Sequence, residues 1–206
     1  MTNVANRYWS ILMLLAMALI LGGCSTYQVQ AMPQISPKAA PASTSAYEVD
    51  FGAKPYVTET EAKAVFNYDM MSKGVMPVFV AVENHADQDI EILRARFELQ
   101  TGSGVKLLPV LPVVASTMHG RNAMAEAFWY FGIFSYDNAN KYNEALKRDW
   151  AEKAWPEVSI IRSGHTKSGF LYFKVGENYK HSKSILSVPF EIDGFADRKE
   201  VKLFMQ

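Results

Sequence analysis

Residues 75–82, Val-Met-Pro-Val-Phe-Val-Ala-Val, limit most what this chain can become. They carry no polar side chain and are rich in β-branched types, so both faces of the strand they form are apolar. Such a strand reads as one inside a sandwich. Pro77 has no backbone N–H to donate and belongs near the strand start or at an edge.

The neighbouring segments supply partners for it. Residues 84–89, Asn-His-Ala-Asp-Gln-Asp, are turn chemistry. Residues 90–99 then alternate, with Leu93, Ala95, Phe97 and Leu99 on one face and Arg94, Arg96 and Glu98 on the other. Gly102-Ser103-Gly104 turns again into a strand from 105 to 108. Residues 169–175, 184–192 and 199–204 read as later strands, and 47–57 as a first, edge strand. Six to eight strands with turns between most of them predict a mainly β fold, an immunoglobulin-like antiparallel β-sandwich. Thr58 with Glu61 matches a capping box, so 58–71 is either a short helix stopped at Lys73-Gly74 or a bent strand over 64–70.

Between about 115 and 157 the period becomes helical. Residues 124–134 hold one charge in eleven positions, and Tyr142, Leu146 and Trp150 recur every four residues before Pro156 stops the pattern. This predicts a helical hairpin inserted between strands. Its aromatic run includes Phe128, Trp129, Tyr130, Phe131 and Phe134. A helix apolar all round has to be buried somewhere. Either these rings pack across the sandwich as core, or they form a patch that meets a partner protein or the membrane interface. Eleven residues are too few to span a bilayer.

The N-terminus carries a different signal. Arg7 precedes eleven apolar residues, 11–21, and Gly22-Gly23 leads into Cys24, the chain's one cysteine. These are the parts of a secretory leader, and the run is too short for a membrane span. Leu21-Gly22-Gly23-Cys24 resembles the lipobox of bacterial lipoproteins; the alternative is an ordinary signal peptide with an incidental cysteine. The resemblance implies that residues 1–23 are removed and that Cys24, bearing two or three acyl chains, becomes the lipid attachment to the membrane. Ser25, where aspartate would imply inner-membrane retention, implies the outer membrane. Residues 24–46, rich in Pro, Ala and Ser, are expected to be a flexible tether at ~3.1 Å per residue, with one domain over 47–206.

An acylated Cys24 leaves no thiol for a disulfide or a metal. Of 21 basic and 21 acidic side chains only Arg7 falls in the leader, so the remainder carries −1 and makes no electrostatic case for nucleic acid. Lys73-Gly74-Val75-Met76-Pro77-Val78, Glu83-Asn84 before the Asp-rich turn, and residues 169–173 resemble segments of uncharacterised bacterial lipoproteins with immunoglobulin-like sandwiches. That resemblance implies a fold and no activity.

Catalytic signals are weak. The histidines are His85, His119, His165 and His181. His85, Asp87 and Asp89 spell H-x-D-x-D, which either offers ligands to a cation or is turn chemistry alone; the glycine and distal glutamate of an EF-hand are absent. Ser103 with Lys106 fits S-x-x-K and Lys167-Ser168-Gly169 is near K-T-G, but Ser103 lies in a turn and no S-D-N accompanies them, so both are chance matches. No catalytic, cofactor or metal residue is assigned. The expectation is a non-enzymatic interaction or assembly module of the cell envelope, its aromatic insertion contacting a protein partner. The alternative is a periplasmic carrier of a lipid or apolar ligand, with an enzyme third.

Overall fold

The computed structural model describes residues 27–117, 133–192 and 198–206, with backbone alone for 133–139. Residues 1–23, expected to be a leader, Cys24 and residues 128–131 lie outside the described residues, as does the side chain of Phe134. The chain divides into two compact units. The smaller takes in residues 1–27 and 121–142; within it the rings of Tyr27 and Tyr142 meet edge-on at 5.4 Å. The larger, residues 28–120 and 143–206, is a β-sandwich.

Among the described residues ten strands make two antiparallel sheets. The first has the order β1 (Ala42–Ala46), β2 (Val49–Pro55), β3 (Val75–Asn84), β8 (Thr166–Lys174). The second is built on β9 (Ser184–Ile192), flanked on one side by β10 (Lys199–Met205). It also pairs with β4 (Ile90–Leu93) and β5 (Glu98–Gln100), and β7 (Val158–Ile161) and β6 (Lys106–Leu107) lie beyond those two. The inner faces meet in one core. Val49, Phe51, Val78, Val80 and Leu171 face Ile90, Ile92, Leu186, Val188 and Leu203, with Phe51 5.1 Å from Phe190.

A helical layer covers the outer face of the first sheet. Helix α1 (Glu59–Phe66) starts at Thr58, whose side chain accepts from the Glu61 N–H and donates to its carboxylate, so the capping box is real. The helix ends at Asn67 in the left-handed region, earlier than the expected stop at Lys73-Gly74. It brings Phe66 to 4.8 Å from Phe170 and 5.8 Å from Trp150. Trp150 lies on α3 (Ile133–Lys153), which follows α2 (Pro112–Thr117) in the described chain, and it stacks on Tyr172, whose hydroxyl donates to the Trp150 carbonyl at 2.9 Å. Lys153, buried on the same helix, pairs with Asp149 at 2.6 Å and donates to the Val65 carbonyl at 2.7 Å, which ties α3 to α1. With helices on one side and a second sheet on the other, nearly all of β3 is buried, hence its unbroken apolar run over 75–82. Pro77 sits just beyond the last β2 pairing, Pro55 opposite Val78; its carbonyl accepts from the Tyr56 N–H at 2.9 Å, so the donor it lacks falls at the end of the β2 ladder.

Three sequence expectations change. The tether expected over 24–46 is cut short. Pro37–Ala39 forms a 3-10 turn, and β1 pairs along β2 with Ala40 and Ala42 buried. The segment packs closely on β2: a Cβ on Gly52 would stand 2.4 Å from the Pro37 carbonyl oxygen and 2.8 Å from the Ala40 Cβ. Strand 47–57 is therefore not the edge; β1 is, joined to β2 through Tyr47 and Glu48, both with positive φ. Finally, 90–99 is not one strand. From Ile90 to Glu98 is eight steps, against five from Ile192 to Ser187 on β9, and the 3-10 turn Arg94–Arg96 takes up the excess of three. An odd insertion switches the face, so Ile90 and Ile92 are buried before it, Phe97 and Leu99 after it, and Ala95 is exposed.

The insertion leaves and re-enters at one place. The Val110 N–H donates to the Tyr172 carbonyl, and the Trp155 N–H to the Phe170 carbonyl, both at 2.8 Å, along the outer edge of β8. Gly169 permits the second contact, because a Cβ there would lie 2.7 Å from the Trp155 backbone. The Trp155 side chain then turns into the sandwich core beside Phe97.

Candidate functional site

Two places in the sandwich unit gather polar or exposed apolar side chains. The first is a polar junction at one end of the first sheet. Register places Ser45, Asp50 and Glu83 directly opposite one another across β1, β2 and β3. Asp50 alternates with the core residues Val49 and Phe51, so it faces outward, yet it is only 3% exposed. Its Oδ1 accepts from the Ser45 hydroxyl at 2.5 Å, and its Oδ2 stands 3.0 Å from Lys38 Nζ and 2.7 Å from His85 Nε2. Burial pushes the Asp50 carboxyl up, but the hydrogen bonds from Ser45, Lys38 and His85 outweigh it and hold the pKa at about 2. Glu83 Oε1 lies 3.9 Å from His85 Nε2. The His85 N–H donates to the Glu48 carbonyl at 2.8 Å, so the hairpin and the turn after β3 are locked together.

The H-x-D-x-D spacing does not bring its own three residues together. Asp87 and Asp89 are exposed in the turn, and among the described residues His85 gathers with Asp50 and Glu83 instead. Residue spacing gives no sign of this, because Asp50 and His85 are 35 positions apart and only the strand register joins them. The turn itself is organised by buried Asn84, whose amide donates to the Gln88 and Ile161 carbonyls while its oxygen accepts from the Ala86 N–H.

The second place is apolar. Leu108, Leu111, Val113 and Val114, where the chain leaves the sandwich for the insertion, are each 45–62% exposed. Of the contact residues expected from the sequence, Phe128, Trp129, Tyr130 and Phe131 and the Phe134 side chain lie outside the described residues. So does His119.

Other sequence candidates are not drawn together. Ser103 meets the Thr101 hydroxyl at 2.9 Å in the β5–β6 turn, while Lys106 pairs with Glu98 at 2.8 Å. His165 Nδ1 is 2.9 Å from the Ser163 carbonyl oxygen. Both ring nitrogens of His181 are buried beside Tyr179 with no hydrogen-bond partner among the described residues. A cavity of about 470 Å³, lined by Thr101, Lys183, Ile185 and Phe204 among others, includes none of the histidines. Among the described residues no helix is long and apolar enough to cross a membrane.

No family model matches the chain, and no curated protein does. Among solved structures it is similar to the crystal structure of the yjhA protein from Bacillus subtilis, at 14% identity and a TM-score of 0.37, over 72% of this chain and 78% of that one. A likeness this distant says nothing of function.

Proposed function

We propose that this protein is a lipid-anchored module of the bacterial cell envelope, held in the outer membrane through Cys24, that works by binding a protein partner and not by catalysis. The observation that carries the reading is the exposed strip Leu108, Leu111, Val113 and Val114. Four large apolar side chains within seven residues, at the root of an insertion that continues into Phe128-Trp129-Tyr130-Phe131, form the kind of surface that marks a contact site. The alternative, a carrier with an apolar ligand held between the helical hairpin and the sheet, would put that ligand where Phe66 packs on Phe170 and Trp150 stacks on Tyr172.

The test is co-purification from crosslinked cells. The double variants Leu111→Glu/Val114→Glu and Trp129→Ser/Phe131→Ser are expected to keep the circular dichroism and melting behaviour of the parent while losing the crosslinked partner. Unchanged crosslinking in both would sink the reading. Cys24→Ala is expected to release the protein from the membrane fraction, which tests the anchor separately.

A further inference from the structure

The geometry points to a divalent transition-metal site, of the kind that takes Zn²⁺, at Asp50, Glu83 and His85. One ligand atom from each residue lies within 4.8 Å of the other two. The His85 Nε2 distances to Asp50 Oδ2 and Glu83 Oε1, 2.7 and 3.9 Å, bracket the ~3.4 Å separation of donor atoms around a tetrahedral ion with bonds of about 2.1 Å. Asp50 is fixed by burial and by Ser45, whereas His85 and Glu83 are free enough at the surface to adjust by the needed fraction of an ångström.

The chemistry of the donors selects the ion. One imidazole with two carboxylates suits zinc or its neighbours, while calcium asks for six to eight oxygens. Register sets two carboxylates face to face, and like charges directly opposite are unfavourable unless a cation lies beside them. Lys38 already supplies one: its ammonium, on a side chain 72% exposed, reaches Asp50 Oδ2 at 3.0 Å. The position thus takes a cation as built, and a swing of Lys38 into solvent makes room for a metal. The inference does not depend on the partner-binding reading.

Isothermal titration of the full chain in detergent, freed of metal and then given zinc chloride, tests it. One saturable site is expected. Loss of even outer-shell partners weakens metal sites about 10–100-fold, so Glu83→Gln and His85→Ala are each expected to weaken binding at least about 10-fold. Lys38→Met, which removes the competing ammonium, is expected to tighten it, and calcium chloride is expected to give no comparable binding. No saturable binding at about 100 μM zinc, well above the range of built protein sites, would overturn the assignment. So would binding that neither Glu83→Gln nor His85→Ala weakens, or that Lys38→Met leaves the same.

Discussion

At the scale of single residues, Asp50 shows how a charge comes to be buried at a sheet end without losing stability. Its carboxylate has three donors around it, and its pKa of about 2 lies below the ordinary 3.8. A group with a depressed folded-state pKa contributes stability above its unfolded-state value and loses it as pH falls through the folded-state value. The parent should therefore outlast Asp50→Asn in urea at pH 7, and the gap between their midpoints should close between about pH 4 and pH 2. Urea titrations in chelator-treated buffer at a series of pH values check this; a gap constant down to pH 2 would mean that the Asp50 charge is not what the junction uses. Ser45, Lys38 and Asp50 carried no signal in the sequence, since each is an ordinary polar residue until β1, β2 and β3 are in register.

At the scale of elements, the β1–β2 hairpin turns on Tyr47 and Glu48, with φ of 56° and 60°. This is the left-handed region, where Asn-Gly is the usual choice and other side chains are strained by roughly 1–2 kcal/mol each. Tyr47 is held there by its edge-on contact with Phe190 at 5.8 Å and by Lys199 above its ring. Among the described residues the Glu48 side chain makes no such contact. Glu48→Gly should thus stabilise the protein by about 0.5–1 kcal/mol, read as a higher denaturation midpoint; destabilisation would mean that the Glu48 side chain matters. The unusual turn residues also explain why the hairpin escaped the sequence: nothing at 47–48 looks like a turn, and Ala and Ser before it look like slack chain. Strands β3, β8, β9 and β10 were legible because alternation or a continuous apolar run survives without knowledge of partners. The break at Arg94–Arg96 was not, because residues 90–99 keep a plausible alternation across it and only pairing with β9 shows the change of face.

For the whole molecule, the sandwich and the helical layer share the first sheet, and the passage from α3 back into the sandwich depends on Gly169. Gly169→Ala would push a methyl against the Trp155 backbone, displacing both the edge contact and the core tryptophan. A loss of about 2–3 kcal/mol in a denaturant titration is expected, at the upper end for overpacking; a change under about 0.5 kcal/mol would show that this edge yields easily. The same edge has a consequence for how such a protein can change over generations. Val110 and Trp155 are pinned to carbonyls two residues apart on one strand, so everything between them is a loop whose ends are already joined. Doubling the length of such a loop adds only about 0.6 kcal/mol of closure cost. The sandwich is thus a socket: the length of chain between the two pins can change at little closure cost, provided that the turn of α3 that carries Trp150 and Lys153 onto the first sheet is kept.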